Sequence, residues 1–137
     1  MRRQRKSILV VEDHPRQLLA IRKVLASLGL EVVVAGDGAA ARDVLARFVP
    51  DLICAELRLP DSSGYELCEL VRGSPAHCDV PVILLSDRSY PEDRAHADEV
   101  GADAFLVKPV LEDQLRARIE LLLQRPVRGR PRAVGAS

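Results

Sequence analysis

Six side chains that carry a charge or donate hydrogen bonds follow short apolar runs of the sequence. Four carry a carboxylate, one a hydroxyl and one an ammonium group: Glu12, Asp13, Glu56, Asp87, Ser86 and Lys108. Carboxylates brought together repel one another unless a hard cation, a lysine or a proton offsets their charge. Oxygen ligands of this kind suit Mg²⁺, which also bridges phosphoryl oxygens. The residue types therefore predict a cation or phosphoryl site, provided that the fold makes the six converge.

The apolar runs that precede these residues are typical of strands in a parallel sheet. They are nearly continuous and rich in Val, Ile and Leu, as in strands that are covered on both faces. The five runs are Ile8–Val11, Val32–Ala35, Leu52–Ala55, Val82–Leu85 and Phe105–Val107. Helical segments separate them: one beginning at Pro15 and ending at Gly29, Ala39–Phe48, about 63–72, about 91–100, and one ending before Pro126.

Five βα units in succession predict an α/β fold, a doubly wound five-stranded parallel sheet with helices on both faces. In such sheets ligands bind at the edge where the carboxyl ends of the strands meet. All six side chains follow strands of this sheet, so we expect them to lie at that edge.

Composition and charge indicate one globular domain between two basic tails. The chain has 137 residues, of which 47% are hydrophobic and 29% charged, as in globular proteins. The tails, 1–6 and 125–137, carry eight basic groups and no acid, which leaves 7–124 with twelve basic and twenty acidic side chains, a net charge of −8. An acidic body makes nucleic acid an unlikely partner. The Arg-, Pro- and Gly-rich tail 125–137 is predicted to be disordered.

The sequence gives no indication of a membrane or secretory segment. No apolar run approaches the ~20 residues that cross a bilayer, and the run after the basic start is too short for a signal peptide. The three cysteines, Cys54, Cys68 and Cys78, show no paired metal spacing, which suits a reducing compartment. We therefore expect a cytoplasmic protein that has no contact with a membrane.

Four longer stretches together form a specific pattern. They are ILVVEDHP at 8–15, PDLICAE at 50–56 with Pro60 and Gly64 beyond it, PVILLS at 81–86 and GADAFLVKP at 101–109. Over about 7–124 the chain resembles the receiver domain of bacterial two-component response regulators. The resemblance implies a flavodoxin-like strand order 2-1-3-4-5 and a phosphorelay signalling role, with a sensor kinase or a downstream output protein as partner.

The resemblance also implies a role for each residue of the pattern. Glu12 and Asp13 would hold Mg²⁺, together with residue 56 and the backbone carbonyl of Arg58. Ser86 and Lys108 would hold phosphoryl oxygens, and Phe105 would be the aromatic that switches rotamer, although core packing is an alternative for Phe105. The bond between Lys108 and Pro109 would be cis, although the sequence itself does not decide the isomer.

Glu56 occupies the position at which the family has a phosphoaccepting aspartate. The additional methylene moves the carboxylate by about 1.5 Å, and a displacement of ~1 Å can slow a positioned reaction ~100-fold. The longer side chain can also reach Lys108 and so imitate the phosphorylated state. We therefore predict a pseudo-receiver, an interaction module that is not an enzyme and is not phosphorylated in the normal way.

Two neighbouring residues support this prediction. Asp87 follows the switch serine where the family usually has a small residue, and it should obstruct and repel an incoming phosphohistidine. One alternative for Arg58 is that its guanidinium pairs with Glu56, Asp87 or Glu12 and takes over part of a metal's role. The other alternative is a loop residue that faces solvent.

Several alternatives remain open from the sequence. One is a functional receiver in which Glu56 or a nearby acid accepts the phosphoryl group. Another is a DNA-associated adaptor, because Arg128–Pro131 resembles the core of an AT-hook, although a linker fragment explains these four residues as well. A homodimer through helix 4, strand 5 and helix 5 is also an expectation. A conventional hydrolase is disfavoured, since no nucleophile elbow, zinc spacing or phosphate-binding glycine loop is found.

Overall fold

A computed structural model of the chain describes residues 5–88 and 90–125. Five parallel strands form one sheet in the order β2-β1-β3-β4-β5, which confirms the predicted fold class and strand order. The strands are β1 Ser7–Val11, β2 Glu31–Ala35, β3 Leu52–Glu56, β4 Val82–Ser86 and β5 Ala104–Val107. The helices are α1 Pro15–Ser27, α2 Gly38–Leu45, α3 Gly64–Gly73, α4 Pro91–Glu99 and α5 Glu112–Gln124.

The predicted terminal tails lie almost entirely outside the described residues. Only Arg5 and Lys6 of the first tail and Arg125 of the second are described. The predicted disorder after Gln124 and the AT-hook-like segment therefore stay predictions. Among the described residues, no helix combines the length and the apolar character that a membrane crossing requires.

Alternation along the strands divides the core into two layers. Side chains such as Leu9, Ile53 and Leu84 belong to the layer that contains residues of α2, α3 and α4. Their sequence neighbours, such as Ile8, Leu52 and Ile83, belong to the layer that contains residues of α1 and α5. Because successive side chains of a strand point to opposite faces, an uninterrupted apolar run supplies both layers at once.

Local sequence signals set the ends of the helices. Ser63 forms a capping box with Glu66 at the start of α3, which satisfies two backbone N–H groups reciprocally. Gly29 follows α1 with φ +70°, a left-handed conformation that glycine adopts without strain. The prediction was wrong at the end of α2, which stops at Leu45 instead of Phe48. The Arg47 N–H there donates to the Val44 carbonyl at 3.0 Å, so the chain turns more tightly than an α-helix.

Candidate functional site

The carboxyl ends of β1, β3, β4 and β5 border a cavity of about 360 Å³. Its lining residues are Glu12, Asp13, His14, Gln17, Glu56, Arg58, Asp87 and Lys108. Backbone hydrogen bonds continue the sheet to this edge: the Glu12 N–H donates to the Ala35 carbonyl at 3.0 Å, and the Lys108 N–H donates to the Ser86 carbonyl at 2.7 Å. Five of the six residues that the sequence singles out therefore line one cavity.

Glu12, Glu56 and Lys108 form a contact that we call the triad. The Lys108 Nζ donates to the Glu12 Oε1 at 3.1 Å and also contacts the Glu56 Oε1. The Lys108 side chain is 8% exposed, and those of Glu12 and Glu56 are 2% and 11% exposed. Three residues that are far apart in the sequence thus share one nearly buried ammonium group.

The second oxygen of each glutamate is bound by the backbone. The Glu12 Oε2 accepts the His14 N–H at 3.2 Å, and the Glu56 Oε2 accepts the Arg58 N–H at 2.9 Å. In both cases the N–H lies two residues after the glutamate, so the loop after the strand holds the carboxylate. All four carboxylate oxygens of the triad therefore already accept a hydrogen bond from the protein.

The electrostatics of the triad keep Lys108 charged. Burial by itself lowers the pKa of Lys108, but the hydrogen bond and charge of Glu56, followed by the charge of Glu12, outweigh it, so that the net pKa is raised. One ammonium between two carboxylates leaves the triad with one excess negative charge.

Cys54 precedes Glu56 by two residues in β3. Burial and then the charge of Glu12 raise the pKa of the Cys54 thiol to about 12, so Cys54 is not a nucleophile at neutral pH.

The other predicted site residues lie around the triad. Asp13 and Asp87 are exposed and line the cavity. Ser86 is fully buried, and its Oγ accepts the Arg88 N–H at 3.1 Å, so this hydroxyl lies at the edge without lining the cavity. The bond between Lys108 and Pro109 is cis.

Of the two alternatives that the sequence leaves for Arg58, the structure shows the loop residue that faces solvent. Within 5–88 and 90–125, it forms no ion pair with Glu56, Asp87 or Glu12. An antiparallel β-bridge between Arg58 and Ser63 fixes the backbone of this loop. The Arg58 side chain is exposed, and it is the backbone N–H of Arg58 that contacts Glu56. Arg58 thus positions Glu56 through its backbone.

Phe105 lies partly buried in β5 and packs against the layer that contains α4 residues. The guanidinium carbon of Arg94 lies 5.2 Å from the centre of its ring, within the range of a cation–π contact. On the other side of α4, the Tyr65 hydroxyl donates to the Asp93 Oδ1 at 3.1 Å and the Tyr65 ring stacks on His96. Phe105 therefore has a core-packing role in this structure, and its role as a switch stays a prediction.

Two features fix the loop between β3 and α3, which follows Glu56. A Cβ atom on Gly64 would lie 3.0 Å from the Glu56 carbonyl oxygen and 3.2 Å from the Leu57 Cα, so any other residue would require the backbone of this junction to shift. Asp61 was missed from the sequence: its carboxylate accepts the N–H groups of Gly38 at 2.8 Å and Ala39 at 3.0 Å. These bonds lower the pKa of Asp61 and tie the loop to the start of α2.

The residues of the cavity match Mg²⁺ in chemistry but not in arrangement. Their carboxylates are the hard oxygen donors that Mg²⁺ prefers. However, no group of three His, Cys, Asp or Glu side chains in the described part of the chain is arranged to hold a metal, because Glu12 and Glu56 are directed to Lys108 and to backbone N–H groups.

Comparison with known proteins identifies the family. Residues 8–120 match the response regulator receiver domain, and the chain belongs to that family. It is 36% identical over 124 residues to the probable transcriptional regulator ycf27 of Porphyridium aerugineum, covering 89% of this chain and 50% of that protein. The chain thus spans about half the length of such relatives.

Solved structures agree with this assignment. A putative response regulator from Chloroflexus aurantiacus has a TM-score of 0.85 and 28% identity, covering 89% of this chain and all of that chain. The receiver domain of the sensor histidine kinase PA1611 from Pseudomonas aeruginosa has a TM-score of 0.81 and 29% identity over 89% of this chain and all of that one. That relative holds a magnesium ion in its active-site cleft.

Proposed function

We propose that this receiver domain is an interaction module whose triad replaces phosphorylation of the usual acceptor. The observation that carries the proposal is the contact between the Glu56 Oε1 and the Lys108 Nζ. In the family, a phosphoryl group on an aspartate brings negative charge to this lysine. Here the carboxylate of Glu56 brings that charge permanently, so the domain has an active-like pocket without a kinase.

Both oxygens of Glu56 are already bound, which argues against its use as a nucleophile. Oε1 contacts the Lys108 ammonium and Oε2 accepts the Arg58 N–H at 2.9 Å. Phosphoryl transfer depends on an in-line approach of the acceptor oxygen and on stabilisation of the transferred charge. Rotating Glu56 into line would break at least one of these bonds in a site where its side chain is only 11% exposed.

Asp87 adds an electrostatic obstacle to a phosphodonor. It is exposed and lines the cavity with Glu56, so that its acidic side chain stands where a donor would enter. The triad contributes a further negative charge. An anionic phosphohistidine or acyl phosphate therefore meets net negative charge at the mouth of the pocket.

The partner of the module is a protein, either a sensor kinase that it contacts or a downstream output protein. A homodimer through α4, β5 and α5 is a second form that this interaction can take. The site acts in the cytoplasm and needs no bound Mg²⁺ in this proposal.

Intact mass measurement after incubation with acetyl phosphate and Mg²⁺ tests the proposal. We expect no phosphoryl adduct on the wild-type chain. Glu56→Asp is the matched control, because it restores the shorter acceptor and should gain an adduct under the same conditions. A stoichiometric adduct on the wild-type chain that Glu56→Gln abolishes would instead establish a functional phosphoacceptor.

A further inference from the structure

The triad also determines which cation this pocket holds. The two glutamates that line the cavity most deeply direct one oxygen each to the Lys108 Nζ. Their remaining oxygens accept the N–H groups of His14 and Arg58. A protein group thus already donates to each oxygen that would face an incoming metal ion.

A divalent cation would have to compete with these bonds. Mg²⁺ requires near-octahedral oxygen ligands at about 2.0–2.1 Å and is dehydrated reluctantly. Binding to both glutamates would place it beside the ammonium group, where like charges repel strongly at low solvent exposure. The exposed Arg58 at the same cavity adds a second positive charge.

Lys108 cannot easily give way to such an ion. Its backbone is fixed to β4 by the hydrogen bond from its N–H to the Ser86 carbonyl at 2.7 Å, and its side chain is only 8% exposed. Moving the ammonium into solvent would therefore require rearrangement of a nearly buried side chain. Asp13, the other predicted metal ligand, is exposed and by itself offers a single carboxylate.

We infer that the Lys108 ammonium is the resident cation of the pocket, and that Mg²⁺ binds only by displacing it from Glu12 and Glu56. This goes beyond the proposed function, because a chain that takes no phosphoryl group could still bind Mg²⁺ with ordinary affinity. The pocket of this receiver domain is thus one in which a divalent metal and the lysine bridge exclude each other.

Titration with Mg²⁺ alone, followed by calorimetry, tests this inference on the full chain. We expect no saturable binding to the wild type at low millimolar Mg²⁺, and an affinity greater by about tenfold or more in Lys108→Met, since a neighbouring positive charge has been removed. Lys23→Met is the matched control, because Lys23 is exposed on α1 and does not line the cavity. It should leave the weak binding unchanged.

A second variant covers the case in which Lys108→Met fails to fold. Glu56→Asp shortens the acidic side chain, retains Lys108 and should also strengthen Mg²⁺ binding. Tight saturable binding to the wild-type chain would overturn the inference, and so would equally weak binding to the wild type and both folded variants. Tight binding to a wild-type chain that still takes no phosphoryl group would overturn it while leaving the proposed function intact.

Discussion

An ion pair between distant parts of the chain is buried at the carboxyl ends of the strands and another at their amino ends, and the surroundings of the two pairs differ. At the amino ends, which we call the amino edge, the Arg72 Nη2 lies 2.7 Å from the Asp103 Oδ2, and the Asp103 side chain is 1% exposed. The guanidinium also donates to the carbonyls of Gly101, Cys78 and Val80. We call this the amino-edge cluster.

The amino-edge cluster uses the donors of Arg72 fully. A guanidinium has five N–H groups, and those of Arg72 serve one carboxylate and three carbonyls that close the end of α3 onto the starts of β4 and β5. The triad at the opposite edge holds two carboxylates and one ammonium beside a cavity of about 360 Å³. The two ion pairs therefore differ in their surroundings: protein groups use every donor of Arg72, whereas the triad borders an open cavity.

The largest effect should come from breaking the amino-edge cluster. Arg72→Met leaves Asp103 and several carbonyls with fewer donors in a buried setting, so we expect the free energy of unfolding to fall by about 3 kcal/mol. Urea unfolding measures the change. Arg125→Met is the control: its guanidinium also reaches Asp103 at 3.1 Å but is 41% exposed, so it should cost about 0.5 kcal/mol or less. Equal losses in the two variants would contradict the distinction.

A smaller effect should follow from disturbing the junction that positions Glu56. Gly64→Ala places a methyl group against the Glu56 carbonyl and the Leu57 Cα, and because backbone yields less than a side chain, we expect a loss of about 2 kcal/mol. Gly73→Ala, at the other end of α3, meets no atom within 4 Å and should be neutral or slightly stabilising. Thermal unfolding of both variants measures the contrast, and a neutral Gly64→Ala would show that α3 can move away from β3.

Removal of the ammonium at the carboxyl edge should cost less than removal of the guanidinium at the amino edge. Lys108→Met leaves two adjacent glutamates, but both line the cavity, so that water or a cation from the cavity can take the place of the ammonium. We expect a loss of about 1 kcal/mol in urea unfolding, since the variant also no longer buries a charged amine. A loss as large as that of Arg72→Met would mean that the triad is a structural cluster like the other.

The smallest effect concerns a neutral donor at the contact between α3 and α4. Burial, followed by the hydrogen bond to Asp93, raises the pKa of Tyr65 to about 12. Because the pKa of Tyr65 is higher in the folded than in the unfolded chain, the neutral hydroxyl stabilises the fold below the ordinary tyrosine pKa. This stabilisation is lost as pH rises through about 12. Absorbance titration of Tyr90→Phe isolates Tyr65, and adding Asp93→Asn should lower its apparent pKa. No change on adding Asp93→Asn would assign the whole shift to burial.

The sequence predicted the scaffold of the site better than its contacts. Continuous apolar runs located every strand, because strands covered on both faces need apolar residues at every position. Glu56 was expected to reach Lys108, since one added methylene has a calculable length. Both alternatives for Arg58 stay open from the sequence, because spacing along the chain does not fix the direction of a loop side chain. The sequence did not indicate the roles of Asp61, Arg72 and Asp103. The groups that they contact, at the start of α2 and at the amino edge, become their neighbours only in the folded chain.

The buried Cys54, two residues before Glu56 in β3, can report on opening of the sheet. Cys54 lies in the central strand between Val10 of β1 and Ile83 of β4 and is 1% exposed. A thiol reagent can reach it only after neighbouring strands separate, whereas Cys78 is partly exposed and reacts without such an event. The ratio of these two labelling rates, each measured on its own peptide so that the buried Cys68 is distinguished, therefore reports how often the middle of the sheet opens in the unmodified chain.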